Sequence, residues 1–161
     1  MSHKEIVYLS LGSNLGNSKK LLQSACQSIR ILPKVTEVQF SSIYLSAPIS
    51  PLPQPDYLNL ACSLITTLDP FTLFTYLEQI EKILGKIAKP KEAPRKIDID
   101  ILYFGSHTLN SEQLVIPHPR IKERLFVLKP LLDLTTSLPN IPSLPEYVGP
   151  LISSQRVLLY E

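Results

Sequence analysis

Two aspartates one residue apart, Asp98 and Asp100, alternate with Ile97, Ile99 and Ile101. Successive side chains on a strand point to opposite faces. The spacing therefore puts both carboxylates on one face and the three isoleucines on the other. Two ionised carboxylates this close repel each other and resist dehydration. A divalent cation relieves both costs, and oxygen-only donors favour Mg²⁺, which takes one or two carboxylates and completes its shell with phosphate oxygens and water. A solvated polar strand face is the plainer reading. Asp is a poor strand former, however, and Arg95 stands just before the pair. Its guanidinium is a bidentate fork for phosphate, or else a neutralising partner for the aspartates. The balance favours a metal–phosphate strand.

Other residues carry chemistry around it. From Lys82 to Lys96 there are six Lys/Arg and one acidic residue, a local excess suited to an anionic ligand. Lys86, Lys89 and Lys91 are either a solvated charge run or part of a lid over phosphates. His118 stands between Pro117 and Pro119, which fix its direction and suit a phosphate contact; Arg124 follows six residues on. Tyr57 and Asn59 share a strand face, an aromatic beside a carboxamide, able to recognise a flat heterocycle by stacking and paired hydrogen bonds. Phe126 is either the other side of such a sandwich or a core residue. Gly12-Ser13-Asn14-Leu15-Gly16 lacks the spacing and Lys-Ser/Thr ending of a phosphate-binding loop and reads as a turn with structural or substrate-wall duties.

These residues need elements to position them. Ile6–Leu11 reads as a buried strand, 12–17 as a loop, and Leu21, Ala25, Ile29 and Leu32 as a helical stripe capped by Asn17 or Ser18 and stopped by Pro33. Val35–Tyr44 reads as a second strand, with Val38, Phe40 and Tyr44 on one face. Tyr57–Thr67 is a third, with Leu58, Leu60, Cys62 and Leu64 opposite Tyr57, Asn59 and Ala61. Asp69 as N-cap and Pro70 at the first turn start a second helix that Gly85 ends. Lys96–Phe104 is the fourth strand. A short pair is expected near 108–110 and 114–116, then helical character over 120–134 broken at Pro130, and one more short helix in the Pro-rich tail. The order β-α-β-β-α-β describes a ferredoxin-like α+β sandwich, mainly antiparallel, with helices on one face and the other left for loops and ligands.

Composition sets the bounds. The chain has 161 residues, the size of one domain, 44% of them hydrophobic, and its mean hydropathy is +0.11, values that suit a folded globule. No apolar run is long enough for a membrane span and no signal peptide is evident. Cys26 and Cys62 read as core residues, so a cytoplasmic location is expected. A net charge of +2 is too mild for a duplex nucleic-acid partner. The 15 prolines against five glycines, clustered at 48–55 and 139–150, point to two stiff, shaped loops.

Leu11-Gly12-Ser13-Asn14-Leu15-Gly16, Gln54-Pro55-Asp56-Tyr57-Leu58-Asn59, Pro94-Arg95 through Asp98-Ile99-Asp100-Ile101-Leu102, and Ile116-Pro117-His118-Pro119 followed by Arg124-Leu125-Phe126-Val127-Leu128 run in a familiar order. Together they resemble the 6-hydroxymethyl-7,8-dihydropterin pyrophosphokinase family of folate biosynthesis. The resemblance implies a single domain over 1–161 that transfers the β,γ-pyrophosphoryl group of ATP to the pterin hydroxymethyl oxygen and releases AMP. It implies Asp98 and Asp100 as ligands of two Mg²⁺ ions, Arg95 and His118 as phosphate contacts with catalytic roles, and Arg124, Ile101, Lys86 and Glu81 (near the ribose) as nucleotide-side residues. Tyr57 and Phe126 would sandwich the pterin, Asn59 would bond its edge, and Ser46, Pro48 and Ile49 match a loop that reads it. The family is also met fused to other folate enzymes such as dihydropteroate synthase. The chain departs from the pattern in 86–94, where Lys86 replaces the first of two arginines, Ala88 the second, and Ala93 a glycine.

Two other classes fit parts of the pattern. One is a nucleotidyltransferase or ordinary kinase using the same aspartates, which would release other products. The other is a non-catalytic ferredoxin-like module. No basic, aromatic-rich strand speaks for RNA.

Overall fold

The computed structural model describes residues 3–85, 96–105 and 107–161. Strand β1 (Glu5–Ser13) leads to helix α1 (Ser18–Arg30), β2 (Val35–Phe40), β3 (Tyr44–Ser46), β4 (Tyr57–Thr66), helix α2 (Pro70–Ile83) and β5 (Asp98–Phe104). A small hairpin, β6 (Leu109–Asn110) with β7 (Val115–Ile116), follows at the expected place. A 3₁₀ turn at Ile121–Glu123, helix α3 (Leu125–Leu132), a second 3₁₀ turn at Leu144–Tyr147, helix α4 (Gly149–Ile152) and strand β8 (Val157–Leu159) complete the described chain.

The sheet order is β5-β1-β4-β3-β8, with β2 also on β4. Every pairing is antiparallel. This is the ferredoxin-like arrangement the element order implies, its second strand split into β2 and β3.

Local chemistry sets the helix ends. Asn17 is the N-cap of α1, its side chain accepting the Lys20 N–H at 3.2 Å. Asp69 accepts from the Thr72 N–H at 3.0 Å and hydroxyl at 2.7 Å, which draws its carboxyl below the usual value. Gly85 closes α2 at φ +99°, a conformation costly for other residues.

The core lies between the sheet and the first two helices. Val7, Leu9 and Leu11 of β1, Leu58, Leu60, Cys62 and Leu64 of β4, and Ile97, Ile99 and Ile101 meet Leu22, Ala25 and Ile29 of α1 and Leu73, Leu77 and Ile80 of α2. Each Val, Leu or Ile side chain so buried contributes about 1.5–3 kcal/mol.

Several elements differ from the sequence reading, each for a physical reason. Gly12 and Ser13, read as loop, are the last two residues of β1, because β4 and β5 pair with that strand on its two edges. Val35–Tyr44 is not one strand. A register shift between Thr36 and Gln39, with Glu37 at φ +51°, and the break at 41–43 change the alternation. Val38 and Phe40 pack on the core, whereas Tyr44 donates its hydroxyl to Asp133 at 2.9 Å. Pro130 lies inside α3 rather than breaking it, since burial of Leu128 and Leu131 outweighs one lost backbone bond. The second sheet face is not left wholly to ligands: α3 packs there on Tyr8, Ala61, Leu102 and Tyr103 in a second core cluster. The bulge that places both Leu102 and Tyr103 on this side falls where the register slips between Tyr8 and Leu9.

Candidate active site

The half of the second face not covered by α3 is an open cleft of about 850 Å³, a size suited to a small-molecule ligand. The strand register builds its floor. One row across the sheet runs Asp98, Gly12, Asn59, Tyr44, and the next runs Asp100, Ser10, Ala61. Asp98 and Asp100 point into the cleft while Ile97, Ile99 and Ile101 point into the core. The alternation read from the sequence thus holds in three dimensions. Asp98 is half-buried and Asp100 exposed.

Asn59 sits on the floor at 2% exposure. Its Nδ2 donates to Ser46 Oγ at 2.6 Å, which fixes the carboxamide and turns Oδ1 towards Gly12. A β-carbon on Gly12 would lie 2.9 Å from that oxygen and 3.6 Å from the Tyr57 ring. The glycine therefore clears the space above the centre of the floor. Tyr57 lines the same wall, with Ser46, Pro48 and Ile49 beside it.

The opposite wall comes from the segment after β7. The Ile116–Pro117 bond is cis, and the His118 N–H donates to the Leu102 carbonyl at 2.8 Å, holding this segment to β5. His118 Nδ1 accepts the Arg120 N–H at 3.1 Å, so a neutral ring carries its proton on Nε2. Arg124 and Phe126 also line the cleft, the guanidinium 5.6 Å from the ring centroid. Burial draws the Arg124 guanidinium below arginine's ordinary value, and the nearby Asp100 carboxylate opposes that shift.

The structure thus brings Ser46, Pro48, Ile49, Tyr57, Asn59, Asp98, Asp100, Ile101, His118, Arg124 and Phe126 around one cleft. Ile101 borders it although its side chain is packed in the core. Glu81 is placed otherwise. It is 6% exposed and accepts the Ile99 N–H at 2.7 Å, against the outer edge of β5. Lys86 and Arg95, with the whole basic loop between them, lie outside the described residues.

Among the described residues no group of three or more His, Cys, Asp or Glu could hold a metal by itself. A pair of carboxylates in an open cleft fits Mg²⁺ that completes its shell from a ligand's phosphates and water.

Sequence reasoning does not single out Ser10 or Gln155, which also line the cleft. Ser10 falls within the strand the sequence predicts but carries no pattern that marks it, whereas Gly12, in the segment read as having structural or substrate-wall duties, lines the cleft. Asn14, 3% exposed, donates to Gln54 Oε1 at 2.7 Å and to the Pro55 carbonyl at 3.0 Å, so the Gly12–Gly16 turn braces the loop that delivers Tyr57. Gln155 lines the cleft from the far end of the chain, and no local pattern announces it.

Residues 8–136 match the family model described as 7,8-dihydro-6-hydroxymethylpterin-pyrophosphokinase. The chain is 40% identical over 129 residues to a 2-amino-4-hydroxy-6-hydroxymethyldihydropteridine pyrophosphokinase of Bacillus subtilis, covering 80% of this chain and 77% of that one. It is 38% identical over 145 residues to the protein of the same name in Pseudomonas aeruginosa, covering 89% and 90%. It is 44% identical over 134 residues to the folic acid synthesis protein fol1 of Pneumocystis carinii, covering 83% of this chain but only 18% of that protein. Among solved structures, an HPPK-DHPS of Plasmodium falciparum superposes with a TM-score of 0.75 at 15% identity, over 95% of this chain and 45% of that one. At that identity the likeness speaks for the fold alone. The chain thus spans less than half the length of some relatives and most of the length of others.

Proposed function

The chain belongs to the 7,8-dihydro-6-hydroxymethylpterin-pyrophosphokinase family, and from that premise we propose that it transfers the pyrophosphoryl group of ATP to 6-hydroxymethyl-7,8-dihydropterin, giving the diphosphate and AMP in folate biosynthesis. The observation that carries the reading is the convergence on one cleft of the paired aspartates of β5 with Tyr57 and Asn59 of β4. A phosphate-handling edge and a heterocycle-handling wall are separated only by Gly12.

The lining of the cleft supports the division of labour for the residues it gathers, while Arg95, Lys86 and Glu81 take their roles from the family resemblance alone. Tyr57 and Phe126 stack the pterin, and Asn59, oriented by Ser46, bonds its edge. Ser46, Pro48 and Ile49 close that side. His118, presenting Nε2, Arg124 and Arg95 meet the phosphates, with Lys86, Ile101 and Glu81 on the nucleotide side. Asp98 and Asp100 would hold two Mg²⁺ ions together with ATP. When bound, the metal neutralises phosphate charge and aligns the attacking and leaving oxygens.

In the reaction the hydroxymethyl oxygen bonds to the β-phosphorus. The bond from that phosphorus to the oxygen shared with the α-phosphorus breaks, AMP leaves, and the hydroxyl proton goes to solvent. The protein's part is positioning and electrostatic stabilisation rather than covalent chemistry.

Residues 1–161 act in this reading as a single pyrophosphokinase domain located in the cytoplasm. Among the described residues no helix is long and apolar enough to cross a membrane. Some relatives are named as bifunctional proteins, such as FolKE of Lactococcus lactis, and fusion to or association with dihydropteroate synthase belongs to the same proposal. No nucleic-acid or membrane partner is part of it.

Incubation with ATP, Mg²⁺ and the pterin tests the reading. AMP and pterin diphosphate in equal amounts are expected. ADP in place of AMP would identify an ordinary kinase, and no turnover with no MgATP binding would favour a non-catalytic module.

A further inference from the structure

The turn that carries Arg124 is held from a distant part of the chain. Arg124 stands between the 3₁₀ turn at Ile121–Glu123 and helix α3, in extended conformation at φ −121°, ψ 103°, and gives α3 no side-chain cap. Its neighbours on either side expose one backbone group each. Gln155 takes both. Its Oε1 accepts the Leu125 N–H at 2.9 Å, and its Nε2 donates to the Glu123 carbonyl at 2.8 Å. One carboxamide, thirty residues away, brackets Arg124 as a neighbouring strand would. It supplies the cap that the sequence at 124 does not.

Gln155 is itself anchored. Its N–H donates to the Leu151 carbonyl at 2.9 Å. Just beyond it the chain enters β8, where Val157 pairs with Ser46. The Arg156 carbonyl accepts the Ala47 N–H at 3.2 Å, and Lys129 of α3 donates to the Val157 carbonyl at 3.2 Å. The segment 155–157 therefore touches the wall that carries Ser46 and the turn that carries Arg124. It lies beyond residues 8–136, the part of the chain that matches the family model.

We propose that Gln155 is a positioning residue of the active site: its carboxamide fixes the backbone on both sides of Arg124, and so sets where the guanidinium meets the nucleotide phosphates. The inference rests on the pyrophosphokinase reading for the identity of the substrate. It adds a residue that neither motif nor family match points to. A fixed backbone matters here because Arg124 reaches the cleft from a non-helical residue between two helical turns. Rotation there would carry the whole side chain with it, and a misplacement of about 1 Å at a contacting group can cost a large factor in rate.

The test is steady-state kinetics of Gln155→Ala and Gln155→Glu with each substrate varied in turn, alongside thermal melts. Gln155→Glu keeps the acceptor for Leu125 but sets a second acceptor against the Glu123 carbonyl. Ser154→Ala, on the exposed side of the same turn, is the control. The expected result is a KM for ATP raised about tenfold in Gln155→Ala, with kcat and the pterin KM changed less than about threefold. Gln155→Glu should raise the ATP KM in the same direction, and Ser154→Ala should match wild type. An ATP KM within twofold of wild type in a folded Gln155→Ala overturns the proposal, as does an equal rise in both KM values. If Gln155→Ala does not fold, Gln155→Glu decides by the same criterion, and loss of folding in both assigns the residue a purely structural role and overturns the proposal. A wild-type chain that makes no AMP would sink the pyrophosphokinase reading and this inference with it. Wild-type AMP formation with unaltered variants would sink this inference alone.

Discussion

The Glu81 carboxylate accepts the backbone N–H of Ile99, midway between Asp98 and Asp100, at 2.7 Å. Among the described residues strand β5 is the edge of the sheet, so the N–H groups on its outer side have no strand partner among them. Ile99 turns one such group towards α2, and Glu81, in the buried stripe of that helix with Leu77 and Ile80, meets it. A buried carboxylate that supports the edge of the aspartate strand has a stability role whatever it does for the nucleotide. Glu81→Ala is expected to destabilise the fold by about 2–4 kcal/mol, whereas Glu81→Gln, which keeps an acceptor, should lose less. Urea unfolding of both variants checks this. A Glu81→Ala chain as stable as wild type, with only a raised KM for ATP, would leave the residue as a ligand contact and nothing more.

What could be read from the sequence was what local rules govern. The Asp-Ile alternation, the Asp69-Pro70 start and the Gly85 stop each depend on a few neighbouring residues, and each stands in the structure where expected. What could not be read depends on partners far away. Gly12 belongs to a strand because β4 and β5 pair with β1 there. Tyr44 faces Asp133 because an irregular stretch before it resets the alternation. Glu81 enters the sequence reading only as a nucleotide-side residue that the resemblance implies, and Gln155 does not enter it at all. Their roles exist only once β5 and α3 are packed beside them.

Gly12 offers a direct test of the floor. A methyl group there would lie 2.9 Å from Asn59 Oδ1, and Asn59 is already held by Ser46 on its other side. Gly12→Ala should therefore displace the carboxamide and raise the pterin KM about tenfold, with a stability loss of about 1–3 kcal/mol from the strained contact. The ATP KM should change less. Kinetics with each substrate varied separately reads the difference, and an unmoved pterin KM would mean that Asn59 does not contact the pterin edge.

Tyr44 predicts a pH dependence of stability. Burial, then its hydrogen bond to Asp133 and that residue's charge, pushes the phenol up to about 12. An acid whose pKa is raised in the folded state holds its proton where the unfolded chain has lost it. The stabilisation is complete below the ordinary tyrosine value of about 10 and declines as pH rises through about 12. Urea midpoints at pH 9 and pH 11 should show the loss in wild type, and Tyr44→Phe should show a smaller one. The same slope in both chains would place the alkaline transition on other groups.

The paired aspartates supply the decisive test, because their chemistry and their structure make opposite demands. Asp100 is exposed and Asp98 half-buried, and the two carboxylates share one strand face, where their charges repel. Removing one charge should cost the fold little. Asp98→Asn and Asp100→Asn are expected to melt within a few degrees of wild type. Turnover should nevertheless fall by about 10³-fold or more, because an amide is a poor ligand for a hard cation and the phosphate charge would lose its neutralisation. The residual activity should need more Mg²⁺ for half-saturation than wild type does, and chelation should abolish it in all three chains. AMP formation across a Mg²⁺ titration, with a melt of each chain, separates the effects. A well-folded Asp98→Asn or Asp100→Asn chain with near-normal turnover and an unchanged Mg²⁺ requirement would remove the metal from this strand. The aspartates would then be a solvated polar face, the plainer reading of the same alternation.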